Sequence, residues 1–239
     1  MIVPNIVFLT QIVMQNNTCR DQMKVFYKTT NHVLETISKT FVHTLKYTIQ
    51  NSKHIRDLDL NLTANQILNS TNLSESSLNS EVISAHVISN MIEGMHINKE
   101  KEKAAVSLYK SETDIVYNFG NCKKTDYVLN VSSSSIDNTK DNKNVRIAVE
   151  VKRCLDFAYS KMTTEHICNI LDKANTGAIE SNRGVSSMDK WDCQILNILT
   201  TNKDLEQIIN KWIISKTKFG FAAIVITLVD GNVDLIIKS

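Results

Sequence analysis

The chain has 239 residues, 42% of them apolar and 22% charged, with a formal net charge of +2. That length suits one domain of ordinary size, or one with a small appendage, and buries enough surface to fold without a disulfide or a metal. The apolar share argues against global disorder, one proline and six glycines exclude collagen and Gly-Ser linkers, and the near-neutral charge excludes a globally basic nucleic-acid binder while leaving room for a local basic groove.

Residues 1–14 are largely apolar, but they have neither the positive start nor the small-residue cleavage site of a signal peptide. No window has the length of a membrane span. These features place the chain among soluble intracellular proteins, in cytoplasm or nucleus. Val25, Phe26, Val33, Leu34, Ile37, Phe41, Leu45 and Ile49 recur at three- and four-residue steps and predict helix through the first seventy residues. Asn69 to Ser80 is rich in Asn and Ser and reads as a linker, which divides the chain into a helical N-terminal extension, 1–75, and a main domain, 76–239. Ser80 can cap a helix from about Glu81 to Met95, with Val82, Ala85, Ile88, Met91, Ile92 and Met95 on its inner face and a charged continuation reaching Leu108.

The period then changes. Ile115 to Phe119 reads as a strand closed by Gly120-Asn121, and Thr125 to Val131 as a second, the two forming a hairpin. Ser132 to Asn144 is a polar loop, and Val145 to Lys152 alternates cleanly as a third strand. A helix over about Thr163 to Ala174 follows, with Thr163 or Thr164 as its cap. Trp191 to Thr200 fits either strand or short helix, Asp204 to Lys216 is helical, and Phe219 to Val229 is a buried strand. Val233 to Ile237 completes a hairpin across Asp230-Gly231-Asn232. The order describes an α/β protein with a mixed central sheet flanked by helices.

Five cysteines are scattered without CxxC spacing, which argues against zinc and for a reducing compartment. Cys154 has no histidine pattern around it and reads as a buried structural thiol, Trp191 and Trp212 as packing residues, and His166 as an ordinary helix residue. Asn makes up about a tenth of the chain, the mark of an AT-rich genome.

The chemistry is concentrated in Val145-Arg146-Ile147-Ala148-Val149-Glu150-Val151-Lys152-Arg153. Alternation turns Val145, Ile147, Val149 and Val151 into a core and Arg146, Ala148, Glu150 and Lys152 to the other face. If the preceding strand, which opens Lys124-Thr125-Asp126, pairs antiparallel, Asp126 comes beside Glu150 and Lys152. Two carboxylates hold a hard divalent cation and leave positions open for water. A neighbouring lysine orients the attacking water and steadies developing negative charge.

Thr125-Asp126 followed by Glu150-Val151-Lys152, within a helix-hairpin-strand-helix order over about residues 80 to 230, resembles the PD-(D/E)xK nuclease superfamily with its restriction-endonuclease-like fold; Thr125 stands in the proline place. The resemblance implies Mg²⁺- or Mn²⁺-dependent hydrolysis of nucleic acid, DNA ahead of RNA. It implies Asp126, Glu150 and the Val151 carbonyl as metal ligands, with Lys152 beside the attacking water. Many members add a Glu from the preceding helix; Glu81 and Glu93 both qualify by position, and Glu81 shares a face with Ala85, Ile88 and Ile92. Cap-snatching viral endonucleases of the superfamily use a helix His, for which His86 or His96 could serve. Lys123, Lys124, Arg146, Arg153 and Lys161 surround the motif in sequence and are candidates for phosphate contacts. The alternative function is a catalytically silent nuclease fold that binds nucleic acid or a protein partner. Nothing in the sequence sets the oligomeric state.

Overall fold

The computed structural model describes residues 42–50, 52, 54–70, 75–94, 104–120, 122–133, 144–156 and 162–237. Six strands form one mixed sheet: β1 (Val42–Ile49), β2 (Ala104–Ser111), β3 (Tyr127–Ser133), β4 (Val145–Cys154), β5 (Cys193–Thr200) and β6 (Ala223–Gly231), in the spatial order β1-β6-β5-β4-β3-β2. β1, β6, β5 and β4 are mutually parallel, while β3 is antiparallel to β4 and β2 to β3. Among the described residues five α-helices accompany the sheet: α1 (Leu62–Leu68), α2 (Glu75–Glu93), α3 (Thr164–Gly184), α4 (Leu205–Ile214) and α5 (Asp234–Ile237).

Both sheet faces are covered, as parallel strands require. On one face Ala64 and Ile67 of α1 and Val82, Ile83, Ile88 and Ile92 of α2 pack with Val145, Ile147, Val149 and Val151 of β4. On the other, Ile167, Leu171 and Ala178 of α3 and Leu205, Ile209 and Trp212 of α4 pack on Leu196, Ile198, Ile224 and Ile226. The alternation expected of β4 is therefore the one observed, and so is the inner face of α2 from Val82 to Ile92. Trp212 is buried and donates Nε1–H to Asp172 at 2.8 Å, and Trp191 is buried in a small third cluster with Ile115, Val128, Ala148 and Val185, so both tryptophans pack as expected. Cys154 is buried and its thiol is pushed up to about 12, first by burial, as befits a structural residue.

Several expectations are corrected. Val42–Ile49 is a strand, not a helix, and pairs with β6 from Val42 opposite Ile224 to Ile49 opposite Gly231. Leu45 and Ile49 are four apart, a spacing that fits a strand face as well as a helix stripe, and Val42, Thr44, Tyr47, Thr48 and Ile49 favour extended backbone. The sheet thus draws on residues that the sequence placed in the N-terminal extension; residues 1–41, with the rest of the expected stripe, lie outside the described residues, as do Met95 and His96. The supposed linker contains the start of α2, and Ser80 is buried within the helix instead of capping it. Further along the same helix Ser84 and Ser89 are also buried, with hydroxyls bonded to Tyr127 Oη at 2.8 Å and Ala85 O at 2.5 Å, so this serine-rich helix satisfies its hydroxyls within helix and core. The charged continuation gives way to strand β2 from Ala104.

Ile115 to Phe119 is not a strand of the sheet. It lies against the end of α3, with one bridge between Tyr117 and Val185 and backbone bonds Asn118 N–H to Gly184 O at 2.8 Å and Ser186 N–H to Val116 O at 2.9 Å. The hairpin partner of β3 is β2. Trp191–Thr200 resolves as strand β5, every residue of which is buried. The last expected strand is the short helix α5; β6 already has β5 on one edge and β1 on the other, so no edge remains for a hairpin.

Candidate metal centre

The site forms where β2 ends, β3 begins and β4 runs through. Ser111 pairs with Tyr127 and Tyr127 with Val149, so the residues just outside these pairs, Glu112 and Asp126, come together beside Glu150. Asp126 is locked in place: its N–H donates to Val149 O at 3.1 Å and its Oδ2 accepts Val151 N–H at 2.5 Å. Thr125, fully buried, donates its hydroxyl to Val149 O at 2.9 Å and its N–H to Tyr117 Oη at 2.9 Å. A serine or threonine in this place can donate to a strand carbonyl where proline cannot.

Glu81 reaches the same point from α2. Its side chain is 1% exposed, Oε1 accepts the Ser77 hydroxyl at 2.5 Å, and Oε2 has no partner. Glu81, Glu112 and Asp126 each offer a carboxylate oxygen, and the three oxygens lie within 4.8 Å of one another. Glu150 stands at the edge of this triad, its Oε1 bound by Lys152 Nζ at 2.5 Å; the same ammonium donates to Val151 O at 3.2 Å.

So dense a set of carboxylates resists ionisation. Burial, then the nearby Glu112 and Glu150, raise the Glu81 carboxyl to about 7, against the lowering effect of the Ser77 bond. Asp126 is raised well above the usual carboxylate range, first by loss of water and then by Glu150. Glu150 is raised by burial despite the pull of Lys152. Burial alone would lower Lys152, but Glu150 and Asp126 outweigh it, so the ammonium stays charged. Burial pushes the Tyr117 phenol up to about 12, and Glu150, Glu112 and Asp126 add to the shift. A divalent cation would relieve this repulsion and take up the orphaned Glu81 oxygen. The donors are all hard oxygens, the set that suits Mg²⁺ or Mn²⁺.

Of the expected site residues, Glu81 and Asp126 belong to the carboxylate triad, while Glu150 and Lys152 stand outside it and act electrostatically on Asp126. The Val151 carbonyl faces Lys152 Nζ. Of the α2 alternatives, Glu81 is the residue that joins the triad. Glu93 is three turns further along and hydrogen-bonds the Val106 backbone. His86 accepts Asn61 N–H at Nδ1 at 3.1 Å and has Asn90 Nδ2 at 3.1 Å from Nε2, in a buried network that ties α1 to α2. Burial lowers the His86 pKa, so the ring sits there neutral.

Among the basic candidates, Lys123 is exposed, packs its stem over Gly177 of α3 and acts electrostatically on Glu150; Lys124 is exposed beside it. Arg146 is at the other end of β4, four residues or about 13 Å from Glu150 along the strand. Its guanidinium lies 4.0 Å above the Tyr109 ring and donates to Met188 O at 2.5 Å. Arg153 leaves β4 on the opposite face from Lys152 and donates to Ile236 O at 3.0 Å. Lys161 lies outside the described residues.

Glu112 is the member the sequence reading missed. It is identifiable only once β2 is known to end at Ser111, one residue before it; with Leu108 assigned to a helix, Glu112 was only a charge in a connection. Among the described residues no helix is long and apolar enough to cross a membrane. Compared with protein-family models, with curated proteins and with solved structures, the chain finds no match.

Proposed function

We propose that this protein is a divalent-metal-dependent phosphodiesterase that hydrolyses nucleic acid, with DNA favoured over RNA, in the manner of PD-(D/E)xK nucleases. The observation that supports this most directly is the Glu81–Glu112–Asp126 carboxylate triad with its unpartnered Glu81 oxygen, set against Glu150 and Lys152. An acidic cluster without a cationic purpose is unfavourable, since each added carboxylate raises the cost of ionising the others.

Glu81, Glu112 and Asp126 would hold a Mg²⁺ or Mn²⁺ ion, with Glu150 at its margin. Such an ion activates bound water and offsets charge on the scissile phosphate. Lys152 has two tasks in this reading. It holds the Glu150 carboxylate in one orientation, and it presents a fixed positive charge where negative charge grows on the phosphate. Val151 N–H holds the Asp126 carboxylate, so the backbone of β4 positions one carboxylate while its side chains supply Glu150 and Lys152.

The test is cleavage of labelled single-stranded and duplex DNA and RNA in Mg²⁺ or Mn²⁺, comparing the wild type with Glu150→Ala, Lys152→Ala and Glu112→Gln. Loss of one side chain that acts in the transition state is expected to lower the rate by roughly 10²–10³-fold. Equal rates in wild type and variants would overturn the assignment.

A further inference from the structure

The surface beside the metal centre has a grouping that the carboxylates do not explain. Phe119 is 66% exposed, Val116 48% and Met188 72%. Single exposed apolar side chains are ordinary, and Met188 lies by Arg146 at the far end of β4 from Glu150; Val116 and Phe119 share one loop, tied to the segment after α3 through Ser186 N–H and Val116 O. The described residues on either side of Phe119 are firmly held. Asn118 bonds Gly184 O through its backbone and Val185 O through its side chain at 3.3 Å, and Tyr117 Oη accepts Thr125 N–H. Gly184 is seated so closely that a Cβ there would come 2.1 Å from Cys122 Sγ. Phe119 is thus presented by an anchored loop whose inner tyrosine touches the residue next to Asp126.

Three cations are close to it, along the chain or through the bond from Asn118 N–H to Gly184 O. Lys123 and Lys124 follow Phe119 in the same loop, and Arg183 is exposed immediately before Gly184. An exposed aromatic ring set among cations is the surface that takes an unstacked base and its flanking phosphates. A duplex, with its bases stacked inside, offers the ring no partner.

We propose that residues 115–120 and 122–124 form a stacking platform for one unpaired base, and that the substrate strand enters the metal centre single-stranded, with Phe119 against a base and Lys123, Lys124 and Arg183 toward phosphates. This rests on the nuclease reading for its substrate class, but its test does not need catalysis. The full chain is titrated in EDTA against a fluorescein-labelled oligonucleotide, single-stranded or annealed to its complement, with anisotropy as readout. Wild type binds the single strand more tightly than the duplex. Phe119→Ala weakens single-strand binding roughly tenfold and leaves duplex binding unchanged, while Phe119→Trp keeps the wild-type affinity. Removing Lys123 and Lys124 together lowers the slope of log affinity against log salt by about 1.4 on single strands. Unchanged single-strand affinity in Phe119→Ala, an equal loss on both substrates, or no binding of either oligonucleotide overturns the platform. Phe119-dependent binding without any metal-dependent cleavage refutes the hydrolysis and supports the platform; cleavage with Phe119-independent binding does the reverse.

Discussion

Gln194 projects from β5 on the face it shares with its β4 partner Ala148, and neither its Nε2 nor its Oε1 has a hydrogen-bond partner although the residue is 3% exposed. A buried amide without partners costs about 1–3 kcal/mol. Methionine has the same unbranched reach and no polar atoms, so Gln194→Met is expected to raise stability by about that amount, seen as a higher denaturant midpoint with an unchanged slope. A lower midpoint would mean that the amide is satisfied by bound water. At this scale Asp126, Glu150 and Lys152 were legible, because strand alternation fixes which side chains share a face without knowledge of distant contacts. Glu112 and the Tyr117–Thr125 bond were not, because both depend on where β2 ends and on how the loop after it folds back.

Elements follow the same division. β4, α4 and the first half of α3 appear in the sequence through a periodic apolar pattern, and β6 through an unbroken apolar run; α3 continues ten residues past its expected end at Ala174, to Gly184. β1 and β2 do not appear there. Leu45 and Ile49 fit two periods, and the strand is fixed by β6, far along the chain, which pairs with it. α5 shows the converse: Val233 to Ile237 has the letters of a strand, yet the β6 edges are taken. The junction of β1 and β6 turns on Gly231, whose φ is +78° and whose added Cβ would lie 2.2 Å from Ile49 O. Gly231→Ala therefore carries both backbone strain and a backbone collision, and is expected to lose at least about 1–3 kcal/mol. Gly120→Ala is the control, since a Cβ there meets nothing within 4 Å. Equal melting temperatures for the two variants would show that the junction relaxes without cost.

For the molecule as a whole, the carboxylate centre links stability to pH and to divalent ions. Glu81, Asp126 and Glu150 all have raised pKa values in the folded chain. The folded state therefore holds protons that the unfolded state has released. The stability they confer is complete below the ordinary carboxylate range and is lost as pH rises through the folded values. For Glu81 that window runs from the ordinary value of 4.5 to about 7, a loss of up to about 3 kcal/mol by neutral pH. Lys152, raised from 10.5, adds no slope in this window. In EDTA the melting temperature should fall between about pH 5 and pH 7.5, and Glu81→Gln should flatten that fall and melt higher at the upper end. A divalent ion requires the carboxylates deprotonated, so Mg²⁺ or Mn²⁺ should raise the wild-type melting temperature at the upper pH, do little at the lower, and do less in Glu81→Gln. Thermal scans with and without the ion at both pH values measure all three. An ion effect of equal size at both pH values, or one untouched by Glu81→Gln, would place cation binding away from the triad, because only a site that must first shed its protons ties the two dependences together.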